Sequence, residues 1–464
     1  MTETQRVRVS VHVLDDENGF VETAHEIHRV KGKGLSGLTD ELPPELLDKL
    51  RIAPPAAADA TEPDGPPVRR LAVAGPKSLT RQFLAVAEHT PGLDAHELPE
   101  GESELDKGPG PCDLVVIATA SLFDPRAART AARCVRAGLP HLVYGAARDG
   151  VTFVGPLWSP PGDGACYECL RVRVASNSVH GQTWRAYMTF LAEAEAETGA
   201  PFQHEVPPWA AAQLAGAVGR RAEAWLTDAA DEATAELLWN DESSPAKTAR
   251  TLLPVPTCAV CADLHRTRAT STTEPNDDGK VNGDANGDGG PDALRAAEDD
   301  RVGIVHATSV RRAESGPPVY LSGSTSADLS LIKRTMGVTV NGGAGFSKGE
   351  AVAATIGESL ERYAAGLYRP ADLHLASWDE LEAAGRPAVP PAEFGLFSPE
   401  QHAEPGFPFT PFDGGTPVRW TQATDLLSGA PVQVPASQVY MHYRRVRGEA
   451  AIGQSISTGL AADA

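Results

Sequence analysis

Apolar and polar residues alternate through residues 6–14, RVRVSVHVL, break at the turn signal DDENG, and resume in the short run FVETAHEI. That order predicts a β-hairpin. ELPPELLDKL follows and reads as a short helix, and residues 53–67, APPAAADATEPDGPP, read as a Pro/Ala-rich linker. From residue 68 the pattern changes. VRRLAVAG predicts a strand and LTRQFLAVAEH a helix. CDLVVIATA is an almost unbroken apolar run, as expected of a strand covered on both faces. Asp124 as N-cap, Pro125 in the first turn and Gly138 as the stop bound a further helix. LPHLVYGA and VTFVGPL are the next strands, and WAAAQLAGAVGRRAEAWLTDA an amphipathic helix. Strands alternating with helices predict an α/β domain with a mostly parallel sheet.

A second break falls at residues 265–300. TRATSTTEPNDDGKVNGDANGDGGPD holds almost no apolar side chains and predicts a disordered linker. Asp284, Asn286, Asp288 and Gly289 open a calcium-loop pattern, but Arg295 stands where a bidentate Glu is required, so the stretch is read as linker. The expected organisation is therefore a small hairpin region at 1–52, an α/β domain at 68–264, the linker, and a mixed α/β region at 301–464.

Composition narrows the classes. With 464 residues, 41% of them hydrophobic, the chain can bury more than one core. No run of about 18 uncharged apolar residues appears, and the N-terminus lacks the apolar core of a secretory signal, which predicts a cytoplasmic protein. Against 62 acidic residues stand 41 basic ones, a net charge of −21, so general phosphate neutralisation by a nucleic-acid binder is excluded.

Four of the six cysteines form two C-x-x-C pairs, Cys166/Cys169 in GACYECL and Cys258/Cys261 in PTCAVCADLH. Two such knuckles supply four thiolates, the ligand set of a closed structural zinc site. The competing readings are a redox pair or two unrelated turns. Cys112 and Cys134 are read as ordinary buried cysteines.

The strongest local signal is GGAGFSKGEAVAATIGESLERYAAGLY at residues 342–368. Ser347 and Glu350 form an S-x-x-E capping box, so a helix starts there. Val352, Ile356, Leu360 and Tyr363 trace one stripe, and Glu358 and Glu361, three apart, share a neighbouring face. Two carboxylates so placed can hold Mg²⁺, with Arg362 adding a fixed positive charge. Such a pattern alone is more often a solvated helix face.

Around it lie, in order, GIV at 303–305, the glycines 342, 343 and 345, then SWDEL, VRWTQATDL, a turn at Ser428 and Gly429, VQVPASQVYMHY and SISTGLAA. Over about 301–464 this order resembles the YcaO family of ATP-dependent peptide cyclodehydratases. The resemblance implies that Glu358 and Glu361 bind Mg²⁺ with ATP, that Arg362 belongs to the same motif, and that Gly343 and Gly345 lie in a Gly-rich turn near the nucleotide. Ala344 replaces a Lys found there in some members. It also implies conversion of Cys, Ser or Thr in a ribosomal precursor peptide to thiazoline or oxazoline, with a leader on the peptide, a separate dehydrogenase or partner subunit, and dimers. No catalytic residue beyond the nucleotide site is assigned.

Residues 68–265 resemble the ThiF-like fold, on the strand pattern, the two cysteine pairs and VGPLWSPPGDGACYECLRVRV. Nucleotide-binding members carry a Gly-rich turn after the first strand. Here it reads VAGPKS, with only Gly75 and with Pro76 lacking an N–H, so this domain is expected to be a scaffold without nucleotide. In the YcaO family a second Glu-x-x-Glu-Arg helix follows STGLAA, and this sequence stops at Ala464. The expectations are an incomplete YcaO α+β domain, weak or no Mg–ATP binding and no activity by the chain alone, and, for residues 1–52, either a leader-binding region on the fused-family pattern or an edge hairpin docked on the α/β domain. A non-catalytic scaffold for a separate catalytic subunit, and an adenylating enzyme, remain the alternatives.

Overall fold

In a computed structural model the chain is described at residues 7–8, 10–22, 27–33, 41–42, 68–90, 92–98, 112–148, 150–160, 162, 164–178, 181–198, 206–226, 236–242, 249–265, 294–332 and 337–453. Outside these lie the expected Pro/Ala linker, most of ELPPELLDKL, residues 266–293 of the second linker and the SISTGLAA stretch.

Two compact units are present, Met1–Pro67 and Val68–Ala464. In the first, β1 (Val7–Arg8) pairs antiparallel with β5 (Glu41–Leu42). The start of the expected helix at 41 is thus a strand. The alternating run forms a hairpin of β2 (Ser10–Asp15) and β3 (Asn18–Glu22), extended by β4 (Ile27–Lys31) into a three-stranded antiparallel sheet. Asp15 shapes the turn, its carboxylate accepting from the Glu17 N–H at 2.8 Å and the Asn18 amide at 2.9 Å.

The second unit is built on a seven-stranded sheet. Its strands are β6 (Arg69–Ala74), β7 (Leu93–Glu97), β8 (Leu114–Thr119), β9 (His141–Arg148), β10 (Val151–Trp158), β11 (Glu236–Asp241) and β12 (Ala249–Thr251), in spatial order 12-11-10-9-8-6-7. The expected parallel pairing holds for β7-β6-β8-β9. It stops there, because β9 and β10 are joined by a tight turn at Gly150 and pair antiparallel, as do β10-β11 and β11-β12. A short turn can only reverse the chain, whereas parallel neighbours need a crossover.

Helices α1 (Lys77–Glu88) and α5 (Pro208–Leu226) cover one face of this sheet, with Phe83, Leu214 and Val218 packed on Leu71, Val116 and Tyr144. Helices α2 (Pro125–Ala137), α3 (Tyr167–Ser176) and α4 (Gly181–Thr198) lie on the other side, with Cys134, Leu170 and Leu191 in the cluster of Val115, Ile117 and Val143. Every residue of β8 is buried, as its apolar run predicts. Asp124 caps α2 by accepting from the Arg126 N–H, and Gly138 ends it in the left-handed region.

Described residues begin again at Leu294, so residues 294–300 of the expected linker are structured. Ala297 and Asp299 are buried, and the Asp299 carboxylate meets the buried Arg250 guanidinium at 2.6 Å. Strands β13 (Val305–Arg312), β14 (Tyr320–Ser326) and β15 (Val340–Gly345) form an antiparallel sheet, with helix α6 (Lys348–Gly366) against one face. A last sheet holds β16 (His374–Ala376), β17 (Val418–Thr424) and β18 (Pro431–Pro435), the last two joined at Ser428 and Gly429 as predicted. Ser377 begins the SWDEL helix, Trp378–Ala383, with a capping box to Glu380. Among the described residues no helix is long and apolar enough to cross a membrane.

Candidate functional site

Two chemistry-bearing features stand side by side in the second unit. The first is the cysteine cluster. Cys166 is the N-cap of α3 and Cys169 lies in its first turn, while Cys258 and Cys261 sit in a loop that follows β12. All four are buried, and their sulfurs lie within 4.8 Å of one another. The Sγ atoms of Cys166 and Cys169 are 3.8 Å apart, those of Cys166 and Cys258 3.6 Å, and those of Cys169 and Cys261 3.5 Å. Sulfurs on a tetrahedron with metal–sulfur bonds of about 2.3 Å lie about 3.8 Å apart, so the set fits a four-thiolate ion. The Val255 N–H points at Cys169 Sγ at 3.3 Å and the Val260 N–H at Cys258 Sγ at 3.4 Å, a pattern that stabilises thiolate charge. Cys134 is fully buried, and burial pushes its thiol up to about 12, while the half-buried Cys112 is raised for the same reason.

The second feature is α6. Ser347 and Glu350 form the expected capping box. Val352, Ile356 and Tyr363 are buried in one cluster, with Leu360 packed against it. Glu358 and Glu361, half-buried, flank that stripe. Glu358 is 32% exposed, with one oxygen accepting from the Gly342 N–H at 3.1 Å and the other facing the Arg362 guanidinium at 3.2 Å. Arg362 also reaches Met441 Sδ at 3.6 Å. The Glu358 carboxylate thus stands beside the glycine segment, and Glu361 follows one turn later on the same helix.

The glycine segment itself differs from expectation. Residues 342–345 are not a turn but the body of the edge strand β15. A Cβ on Gly343 would lie 2.5 Å from Thr355 Oγ1 and 2.7 Å from the Ala351 carbonyl, and one on Gly345 2.6 Å from the Ala351 N. These two glycines let the strand approach α6 closely. Beneath them runs a buried polar network in which Ser324 and Ser359 hydroxyls meet at 2.7 Å and Asn341 donates to Ser359 at 3.0 Å. Sequence reasoning missed this network, because isolated Ser and Asn residues carry no periodic signal.

At the switch point between β6 and β8, where open α/β sheets bind ligands, the turn is closed. Gly75 has φ +128°, and a Cβ there would lie 2.2 Å from the Ala118 carbonyl. Pro76 is the N-cap of α1 and makes no side-chain cap. The one glycine available is taken up by backbone packing.

Residues 342–463 match the family model for YcaO cyclodehydratase, ATP- and Mg²⁺-binding, and the chain carries a YcaO-type segment there. No curated protein matches the chain. Among solved structures it is similar to a heterocyclase in complex with substrate and cofactor, at 16% identity and a TM-score of 0.57, over 97% of this chain and 66% of that one. It is also similar to the heterocyclase TruD, at 15% identity and a TM-score of 0.50, over 97% of this chain and 65% of that one. The fold is that of these heterocyclases, and the chain spans just under two thirds of their length.

Proposed function

We propose that this protein takes part in ATP-dependent cyclodehydration of a ribosomally made precursor peptide. The observation that carries the reading is the placement of Glu358 and Glu361 one turn apart on α6, with Glu358 bonded to the edge strand β15, inside the YcaO-type segment. Here Glu358 and Glu361 hold Mg²⁺, and Arg362 fixes the Glu358 carboxylate and adds positive charge beside it. ATP is the co-substrate, supplying the phosphoryl group that turns an amide oxygen into a leaving group. The side chain of a Cys, Ser or Thr closes on the preceding carbonyl carbon, and loss of that oxygen as phosphate leaves the thiazoline or oxazoline. Catalysis of this kind rests on positioning and charge neutralisation. Gly343 and Gly345 shape the wall through which α6 meets β15.

The four cysteines hold a structural zinc ion in this reading, the α/β domain is a degenerate ThiF-like scaffold, and the protein works in the cytoplasm on a leader-bearing peptide, with residues 1–52 as a candidate leader-binding region and a homodimer as the assembly. Mass spectrometry of a Cys-rich precursor incubated with the chain, ATP and Mg²⁺ tests the activity. Loss of one water per modified residue, dependent on ATP and on Glu358, supports the catalytic reading; ATP-independent mass change, or none with any partner subunit added, refutes it.

A second reading has one observation in its favour: both oxygens of Glu358 already have partners. A scaffold that presents the peptide to a separate catalytic subunit would bind precursor without altering its mass, and modification would appear only when that subunit is added.

A further inference from the structure

We propose that Arg173 is a positioning residue that couples the four-cysteine centre to the carboxylate helix α6; its functional meaning rests on the reading that α6 carries the Mg–nucleotide site. Arg173 lies in α3, one turn beyond Cys169, and is 0% exposed. Its Nε donates to the Leu253 carbonyl at 3.3 Å and its Nη2 to the Pro254 carbonyl at 3.0 Å and the Tyr363 hydroxyl at 3.0 Å. The guanidinium carbon also sits 5.2 Å from the centre of the Tyr363 ring. Tyr363 is the residue after Arg362 and two after Glu361.

One guanidinium therefore touches three things at once. It belongs to the helix that carries Cys166 and Cys169. It holds the carbonyls of the segment that leads into Cys258 and Cys261. It grips α6 at the end of its Glu-x-x-Glu-Arg run. The segment between is shared in the same way: Leu252 and Val255 pack in the cysteine cluster, and Leu253 packs in the cluster of Ile356 and Tyr363. The Val255 N–H reaches Cys169 Sγ, so this contact to sulfur and the two carbonyls that Arg173 holds fall on three consecutive residues, 253–255.

The energetics make this contact sensitive to geometry. A buried cation is costly unless its donors are satisfied. The acceptors of Arg173 are two carbonyls and a phenol, and its Nη1 has no acceptor among the described residues. Compensation therefore depends on all three acceptors staying in register. Four thiolates bound to one ion hold α3 and residues 253–261 in that register. When the thiols are free, only the Val255 contact and core packing join the two knuckles, and the carbonyl and phenol partners of Arg173 are framed less firmly. A lysine cannot replace this planar fork, because its single ammonium cannot span acceptors on two segments.

Hydrogen–deuterium exchange of the full-length chain tests the coupling without reference to activity. With zinc bound, wild type should protect residues 348–366. Stripping zinc with a chelator should speed exchange there about fivefold, the size expected for one lost buried hydrogen bond. Tyr363→Phe removes only the hydroxyl, so with zinc still bound at about one ion per chain it should already show the faster exchange. Stripping zinc from that variant should add little. Arg173→Lys should behave likewise, and if it fails to fold the Tyr363→Phe pair of measurements decides alone. Equal acceleration by stripping in wild type and Tyr363→Phe, or no acceleration in wild type, overturns the proposal. A separate arm measures Mg–ATP affinity by calorimetry. Zinc loss should weaken it, and by reciprocity Mg–ATP should slow zinc release to a chelator. A wild-type chain whose α6 follows zinc but that never binds Mg–ATP would keep the coupling and refute the nucleotide reading.

Discussion

Glu358 accepts a hydrogen bond from the Gly342 N–H at 3.1 Å, so this carboxylate of α6 is tied to the edge strand β15. That bond separates two roles that a substitution can dissect. Glu358→Gln keeps an oxygen able to accept from Gly342 but removes the charge. Its stability should stay within about 1 kcal/mol of wild type, the scale of one hydrogen bond. Its Mg–ATP affinity should fall by about tenfold or more, since Mg²⁺ prefers charged oxygen ligands. Calorimetric titration of Mg–ATP beside urea denaturation reads both. Undiminished binding by the Gln variant would remove Glu358 from the metal site, and the same test applies to Glu361→Gln.

The glycines of β15 give a prediction about stability alone. A Cβ on Gly343 would lie 2.5 Å from Thr355 Oγ1 and 2.6 Å from the Thr355 N, with no flexible side chain able to give way. A Cβ on Gly342 would meet only the Ser322 carbonyl, at 3.7 Å. Gly343→Ala should cost about 1–3 kcal/mol, the usual range for overpacking. Gly342→Ala should be close to neutral and keep the N–H that Glu358 uses. Urea midpoints compare the two, and equal midpoints would mean that β15 does not pack on α6 as described.

Much of this architecture was legible in the chain. The capping box at Ser347 and Glu350, the buried stripe of α6, the buried strand β8 and the hairpin turn at Ser428 and Gly429 all rest on local spacing, which local sequence encodes. The convergence of Cys166, Cys169, Cys258 and Cys261 was legible as well, because a metal site constrains residue type and spacing together. What sequence did not disclose is non-local. Gly343 and Gly345 looked like a phosphate turn because glycine marks any close approach; the structure pairs them in β15 with β14 and sets them against α6. The antiparallel half of the large sheet turned on the tight turn at Gly150 between β9 and β10. Arg173 gave no signal at all, since an arginine in a helix is ordinarily at the surface and its acceptors lie 80 to 190 residues away.

The cysteine cluster predicts a metal stoichiometry. Elemental mass spectrometry of the purified chain should find about one zinc per chain, the capacity of a closed four-thiolate site. Cys258→Ser and Cys169→Ser should each lower that content and the melting temperature together, because binding to such a site contributes directly to folding. Cys112→Ser, outside the cluster, should leave the metal content unchanged. Full stability in metal-free wild type would show that the four sulfurs need no ion to stay together.

His141 predicts how stability depends on acid. It opens β9 with 0% exposure, its Nδ1 lies 3.1 Å from the Leu139 carbonyl, its Nε2 has no partner among the described residues, and its ring sits against Trp158. Burial disfavours the charged ring and lowers its pKa from 6.5 to about 4. Above pH 6.5 the imidazole is neutral in folded and unfolded chains alike, so its contribution to stability is full and constant. Below that, the unfolded chain takes up a proton that the fold refuses, and stability falls until about pH 4, where the folded ring is protonated too. At 1.36 kcal/mol per unit the loss amounts to about 3 kcal/mol at most. His141→Phe keeps an aromatic ring in the site and removes the titration. Wild-type stability minus that of the variant, from urea melts at a series of pH values, should be flat above pH 6.5 and decline steadily to about pH 4. Carboxylates and thiols that also titrate in this window are common to both proteins and cancel in the difference. A difference curve that stays level through the whole range would mean that His141 is not held neutral by burial.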